Sequence, residues 1–266
     1  DLIHASMTQP VLLDIWAPWC GPCKSLGPIL ERLEVAYEGR FVLAKLNSDE
    51  QPEIAGQLSQ AFGVRSIPFC VMFSQGQPVD GFVGAIPEAQ IREFIDKHVP
   101  SADELEADAD VEEAEALLST GGDLDVVLEK LQEALQADPN NDVARLDYLK
   151  LLLGLSRTEP GRTAQARAAF DPVSAKVLSD PRFAAVEHWL KACEAAPSAR
   201  PPEALAAAVA ANKRDFDARF QRAQVLMAGQ AWTGAMDELL EILMRDKAWS
   251  EELARKTFIA ILEIIE

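Results

Sequence analysis

The stretch Trp16-Ala17-Pro18-Trp19-Cys20-Gly21-Pro22-Cys23-Lys24 decides how the rest of the chain is read. Ahead of it runs Val11-Leu12-Leu13-Asp14-Ile15, apolar and of strand length. Behind it Leu26, Ile29, Leu30, Leu33 and Tyr37 recur at helical spacing. The two cysteines therefore fall where a strand ends and a helix begins, with the helix expected from Cys20 to about Tyr37. At the N-cap or in the first turn, Cys20 meets unpaired backbone N–H groups and the positive end of the helix dipole. Both favour thiolate over thiol, and the thiolate is the attacking species. Cys23, one turn on, lies on the same side and within reach of a mixed disulfide at Cys20. Pro22 is tolerated in the first turn because its missing N–H would have had no helical partner. Half of a zinc site is the alternative, but zinc takes four ligands, usually in pairs. The other cysteines, Cys70 and Cys193, are isolated, and His4, His98 and His188 are scattered. A lone CxxC between strand and helix reads as a redox pair, and no metal is expected.

The chain around this stretch has 266 residues, room for about two domains. Its hydrophobic fraction of 48% supports packed cores. No apolar run is long enough for a membrane-spanning helix, so no membrane partner is expected. No signal peptide is visible, and the start at Asp1 in place of Met reads as a trimmed N-terminus. Four cysteines, two of them in one redox pair, fit a reducing compartment better than a disulfide-stapled secreted protein. A formal charge of −18 argues against nucleic acid held on a basic surface and favours solubility.

Residues 10–98 resemble thioredoxin, and Trp19-Cys20-Gly21-Pro22-Cys23-Lys24 is that family's active-site motif without substitution. Asp14 lies six residues before Cys20, where thioredoxins keep a buried carboxylate. Pro28 matches the proline of their active-site helix, and Ala44-Lys45-Leu46-Asn47 the strand whose lysine faces the carboxylate. Ser66-Ile67-Pro68 matches a loop with a cis proline, and Val83-Gly84 the last strand's approach to the site. The resemblance implies an α/β thioredoxin fold over residues 1–100, with the family's first strand missing. It also implies Asp14 buried below Cys23 as its general base, its proton affinity raised by desolvation and tempered by Lys45. Trp19, Ile67, Pro68 and Gly84 would bind substrate, with an extended client segment pairing along the backbone of Ile67. Trp19 is expected at the surface and Trp16 in packing. Phe69 stands where thioredoxins usually carry threonine, a departure at the groove. Cys70 reads as a small buried apolar residue in the strand from Phe69 to Phe73 rather than as a third redox thiol.

The remaining elements of this half follow from pattern. Residues 1–7 read as a short helix, 11–17 and 41–46 as strands, and 49–62 as a helix carrying Ile54, Leu58 and Phe62 on its apolar side. Gly39 is the expected C′ residue of the active-site helix. Gln75-Gly76-Gln77-Pro78 reads as a turn between antiparallel strands, 79–83 as the closing strand, and 87–98 as a helix with Pro87 at N1.

Beyond Val99-Pro100-Ser101 the texture changes. Eight acidic residues and no basic one lie between Asp103 and Glu115, so the run reads as a solvated helix face and 101–110 as an acidic linker. From Val111 only helical periodicity remains. Gly122 to Asn141, closing on Asp138-Pro139-Asn140-Asn141, reads as the second half of a tetratricopeptide repeat whose first helix is 111–119. A weaker copy pairs a helix over 216–227 with Gly229, Ala235, Leu239 and Ile242. Further helices are expected over 142–155, 162–178, 181–195 and 202–211, giving three or four repeats in an all-α, tetratricopeptide-like array over 111–266. Such stacks bury a continuous core and leave a concave face that binds protein segments.

A thioredoxin domain followed by tetratricopeptide-like helices resembles the chaperedoxin family of bacteria. The stretches Val79-Asp80-Gly81-Phe82-Val83-Gly84-Ala85, Arg245-Asp246-Lys247-Ala248-Trp249 and Ala254-Arg255-Lys256 carry that resemblance. It implies a bacterial cytoplasmic holdase without a cofactor. Such a protein binds unfolding clients, protects or reduces their cysteines by thiol–disulfide exchange, and passes them to GroEL/GroES or the DnaK system. Thioredoxin reductase would regenerate the Cys20–Cys23 pair. That family usually ends on an arginine-rich helix that docks on GroEL, and residues 261–266 carry none. Two rivals stand beside this reading. One is a thioredoxin-type disulfide reductase whose helical half recruits one specific partner; the other is a scaffold with a vestigial redox site.

Overall fold

A computed structural model describes residues 2–159 and 161–265. Asp1, in the expected first helix, and Glu266, in the closing apolar stretch, lie outside the described residues. The chain divides into two compact units, residues 1–105 and 106–266.

The first unit is an α/β sandwich around a mixed four-stranded sheet. Strands β1 (Val11–Trp16), β2 (Val42–Asn47), β3 (Phe69–Ser74) and β4 (Gln77–Val83) lie in the order β2-β1-β3-β4. β1 runs parallel to β2 and antiparallel to β3, and β3 pairs antiparallel with β4. The central strands β1 and β3 are apolar almost throughout because helices cover both faces of the sheet. On one face Leu12, Cys70 and Met72 pack against Leu26, Leu30 and Leu33 of α2 (Gly21–Ala36) and Ile91 and Ile95 of α4 (Glu88–Asp96). On the other, Val11, Leu13, Ile15, Phe69, Val71 and Phe73 meet α1 (Leu2–Ala5) and α3 (Pro52–Ala61). The Tyr37 hydroxyl donates to Asp96 Oδ1 at 2.5 Å and ties the end of α2 to α4; burial, then that bond, pushes its pKa up to about 12.

Several boundaries differ from the sequence expectations for identifiable reasons. β1 ends at Trp16, one residue early, and β2 begins at Val42. α3 starts at Pro52 and not at Asp49, because the Asn47 side chain accepts from Asp49 N at 3.0 Å and closes a turn first. Within α3 the buried residue is Ala55, and Ile54 is solvent-facing. After α2 the C′ position belongs to Glu38 (φ 52°), with Gly39 (φ 82°) following it. Pro87 is the N-cap of α4, which ends at Asp96. The turn before β4 is the pair Gln75 (φ 51°) and Gly76 (φ 75°), so β4 begins at Gln77. Two left-handed residues in succession match the twist of the flanking strands.

The acidic stretch, expected as a solvated helix face and linker, is helical from Ala102 onward. α5 spans Ala102–Ser119, and the division between the two units falls inside it. The cause is a reciprocal cap: Ser101 N donates to Glu104 Oε2 at 2.6 Å while Glu104 N donates to Ser101 Oγ at 3.0 Å. The rest of the second unit is helical: α6 (Leu124–Ala137), α7 (Asp142–Leu155), α8 (Gly161–Phe170), α9 (Pro181–Ala195), α10 (Pro202–Ala211), α11 (Phe216–Ala228), α12 (Trp232–Leu243) and α13 (Trp249–Ile265). α8 stops at Phe170, well short of residue 178, where Pro172 has no N–H to carry the helical ladder on. In α13 the first turn is broken by positive φ at Ser250, Glu251 and Glu252.

The junction that closes the first repeat has a second copy in the structure. At Asp138–Arg145 the Asp138 carboxylate accepts from Asn140 N at 2.9 Å and the Asn141 side chain caps α7 through Ala144 N at 2.9 Å. Arg145 then donates back to the Pro139 carbonyl at 2.5 Å. At Asn212–Arg219 the same bonds recur: Asn212 to Arg214 N at 2.9 Å, Asp215 to Ala218 N at 2.9 Å, and Arg219 to the Lys213 carbonyl at 3.2 Å. The counterpart of α6–α7 is therefore α10–α11. The left-handed residue of the α11–α12 turn is Gln230 (φ 59°), not Gly229.

Candidate functional site

The site forms at the carboxyl end of β1. Cys20 is the N-cap of α2, with extended backbone (φ −79°, ψ 105°), and its Sγ accepts from Cys23 N at 3.2 Å. Cys20 and Cys23 are joined in a disulfide, 5.4 Å between Cα atoms. Both are nearly buried, in a small cluster with Ala17, Trp16 and Ile67. The bond that Cys20 Sγ receives at the helix N-terminus is one a thiolate would receive on reduction, which is the electrostatic setting a nucleophilic sulfur needs.

Asp14 is 2% exposed. Parity along β1 turns it to the α2 face of the sheet, away from Leu13 and Ile15. It lines a cavity of about 190 Å³ with Trp16, Cys23, Lys24, Gly27, Pro28, Glu31 and Lys45. Burial raises its pKa above the ordinary carboxyl value; Lys45, then a bond from Cys70, pull it back, and Glu31 adds to the rise. Lys45 stands opposite Asp14 in the β1–β2 register, but its ammonium is paired with Glu31. The lysine thus acts on Asp14 through the field, not by a direct hydrogen bond.

The residues expected to hold substrate also fall around the disulfide. The Ile67–Pro68 peptide is cis, and Ile67 packs against the cluster that holds the two cysteines. Gly84 N donates to the Pro68 carbonyl at 2.8 Å, with φ +86° that suits glycine. Trp19 is 71% exposed, and its Nε1 donates to both Asp49 carboxylate oxygens at 3.1 and 3.2 Å. Phe69 faces away from this edge: it is buried on the α3 side, edge-on to Phe62 at 5.5 Å between ring centres. The threonine-to-phenylalanine departure therefore changes the core and not the groove.

Two residues of the site escaped the sequence reading. Glu31 takes the Lys45 ammonium. Cys70, read as filler, places its Sγ 3.8 Å from Asp14 Oδ1 and donates to it. Strand parity puts Cys70 on the Asp14 face; only the β1–β3 register, which joins residues 56 apart, places them opposite each other.

A buried dithiol–disulfide at a helix N-cap, with a buried carboxyl in the same cavity, defines a thiol–disulfide oxidoreductase. Over residues 2–97 the chain matches the Thioredoxin family and belongs to it. It is 51% identical over 91 residues to the "Thioredoxin" of Chlorobaculum thiosulfatiphilum, covering 34% of this chain and 81% of that protein. It is 43% identical over 90 residues to "Thioredoxin 1" of Nostoc sp., covering 34% of this chain and 80% of that protein. Against "Thioredoxin M-type, chloroplastic" of Pisum sativum it is 41% identical over 99 residues, 37% of this chain and 55% of that one. Residues 195–266 match a family described as Tetratricopeptide repeat. The chain is thus a thioredoxin-type redox domain followed by a tetratricopeptide-like helical region.

Proposed function

We propose that this chain is a redox-active holdase of the chaperedoxin kind, which binds unfolding proteins and exchanges disulfides with their cysteines. The observation that carries the reading is the joining, in one chain, of an intact Cys20–Cys23 site with a tetratricopeptide-like region. Both modules take protein segments: the first by pairing extended chain beside its cysteines, the second by stacked helices.

In the exchange, the Cys20 thiolate attacks one sulfur of a client disulfide. That S–S bond breaks, the second client sulfur leaves as thiolate, and Cys20 is left in a mixed disulfide. Asp14 takes the proton from Cys23, whose thiolate then attacks Cys20 Sγ. The first client sulfur leaves, and the pair ends oxidised by two electrons. With a sulfenylated client cysteine the first step forms the same mixed disulfide, the S–O bond breaking and hydroxide leaving to take a proton from solvent. Thioredoxin reductase restores the dithiol in this scheme. Lys45 tempers the basicity of Asp14, while Trp19, Ile67, Pro68 and Gly84 hold the client segment. Clients pass on to GroEL/GroES or DnaK-type chaperones, in the cytoplasm of a bacterium. Bacterial thioredoxins among the relatives support that setting.

Two assays on the full chain test this. Insulin reduction with thioredoxin reductase and NADPH is expected in the wild type and lost in Cys20→Ser. Suppression of aggregation of several unrelated denatured proteins is expected in both. Suppression confined to one protein, or none, would replace this reading with a disulfide reductase recruiting a specific partner.

A further inference from the structure

The Asp14 carboxyl is surrounded by few groups able to stabilise its charge. From α2 come Cys23, Lys24 and Glu31, which line the cavity with it; from β2 comes Lys45, engaged by Glu31. From β3 comes Cys70, directly opposite Asp14 in the antiparallel register. Among the described residues, Cys70 is the one side chain that donates a hydrogen bond to Asp14, Sγ to Oδ1 at 3.8 Å, within the longer reach of sulfur. Both partners are sealed from solvent, Cys70 fully and Asp14 at 2%. A donor aimed at a buried carboxylate stabilises its charged form over its neutral form.

We propose that Cys70 is a positioning residue of the thiol exchange: its S–H, donated to Asp14 Oδ1, orients that carboxyl in the cavity it shares with Cys23 and favours its ionised form. The inference rests on the reading of Asp14 as the base for Cys23. When Cys23 loses its proton, its S–H bond breaks and an O–H bond forms on Asp14, while the Cys70 proton stays on sulfur throughout. Burial, and then the neighbouring carboxylate, push the Cys70 thiol well above its ordinary range. It therefore remains a donor at neutral pH and does not compete with Cys20 as a nucleophile. A third thiol is thereby built into a thiol–disulfide site without entering the exchange. Cysteine suits the position because it packs as a small apolar residue against Leu26 and Met72 while still carrying a proton.

The test uses the oxidised full chain, where the disulfide leaves Asp14 to titrate without Cys23. The Asp14 carboxyl carbon is followed by NMR against pH in wild type, Cys70→Val and Cys70→Ser. In parallel, the pH profile for release of a preformed mixed disulfide at Cys20 is measured in the same variants and in Asp14→Asn. Valine stays apolar and removes the donor; it should move both the titration and the rate profile upward by about one pH unit. Serine, which keeps a donor, should stay closer to wild type. If valine does not fit the packed site, Cys70→Ala replaces it with the same expectation. Cys70→Val titrating as wild type overturns the proposal while leaving Asp14 as the base. An Asp14→Asn profile identical to wild type overturns the reading of Asp14 as base, and this proposal with it.

Discussion

At Asp14 the sheet holds a carboxyl that burial drives toward its neutral form, with a thiol and a distant ammonium in partial compensation. The consequence for stability has a definite sign. The folded protein binds the Asp14 proton more tightly than the unfolded chain does. Below the ordinary carboxyl value of 3.8 both states are protonated and the group has no effect. As pH rises from there through the raised folded pKa, stability falls, and above it the loss is constant. Asp14→Asn should therefore be more stable than wild type at pH 7, by roughly 1–3 kcal/mol, the usual cost of a poorly compensated buried polar group. Chemical denaturation at pH 7 and pH 3.5 checks this: the gap should be present at the first and close at the second. A less stable variant at pH 7 would mean that the carboxylate is better satisfied than its neighbours indicate.

Among the elements, β4 is held close to β3 by a residue without a side chain. A Cβ at Gly81 would come within 2.9 Å of the Cys70 carbonyl and 3.1 Å of a Phe69 ring carbon, and the backbone on the first side cannot yield. Gly81→Ala should cost roughly 1–3 kcal/mol, as overpacking does, and slow the exchange chemistry by shifting the strand that carries Cys70. Gly27 is a control in the same region: its Cβ would meet only Lys45 Nζ at 3.9 Å. Gly27→Ala should gain roughly 0.5–1 kcal/mol, from helix propensity. Denaturation midpoints of the two variants decide both. Legibility in the sequence divides along the same line. The apolar run before Cys20 and the CxxC at the strand–helix junction are local, and they fixed β1, α2 and the redox pair. The bonds from Cys70 to Asp14 and from Lys45 to Glu31 depend on pairing across the sheet, which no local window contains. In the helical region the Ser101–Glu104 cap is a local signal, carried by residues three apart. At the end of α8 the local signal is Pro172, which cannot extend the helix to residue 178.

At the scale of the whole chain, each unit has its own core. One is the two-faced sheet packing; the other is a series of clusters along the helices, centred on Trp189 of α9, on Leu239 of α12 and on Leu131 of α6. Two buried arginines serve the helical unit in parallel. Arg145 spends its guanidinium on the Pro139 and Ala169 carbonyls, at 2.5 and 2.8 Å. Arg219 adds ion pairs to Glu238 at 2.9 Å and Glu241 at 3.3 Å. These arginines were not singled out from the sequence, since a lone arginine four residues into a helix has the same local pattern as a solvated one. Their recurrence lies in the capping bonds around them, each arginine donating to a carbonyl six residues before it.

Stacks of helix pairs touch only their sequence neighbours in the simplest case and can fray from either end. Here α13 also returns to α9: Ala254 and Ile261 share a cluster with Ala192, and Thr257 Oγ1 lies 3.1 Å from His188 Nδ1. Opening α13 would strip α9 of part of its cover, so the two cannot part cheaply. Peptide amides over 254–261 should consequently exchange with deuterated solvent about as slowly as those of α9. Those of α10, whose buried cluster is limited to Leu205, Val209 and Ala218, should exchange sooner. Were α13 to exchange first, the contact with α9 would contribute little to holding it. The slow pair would make α9 and α13 open together, with a lifetime set by a single barrier.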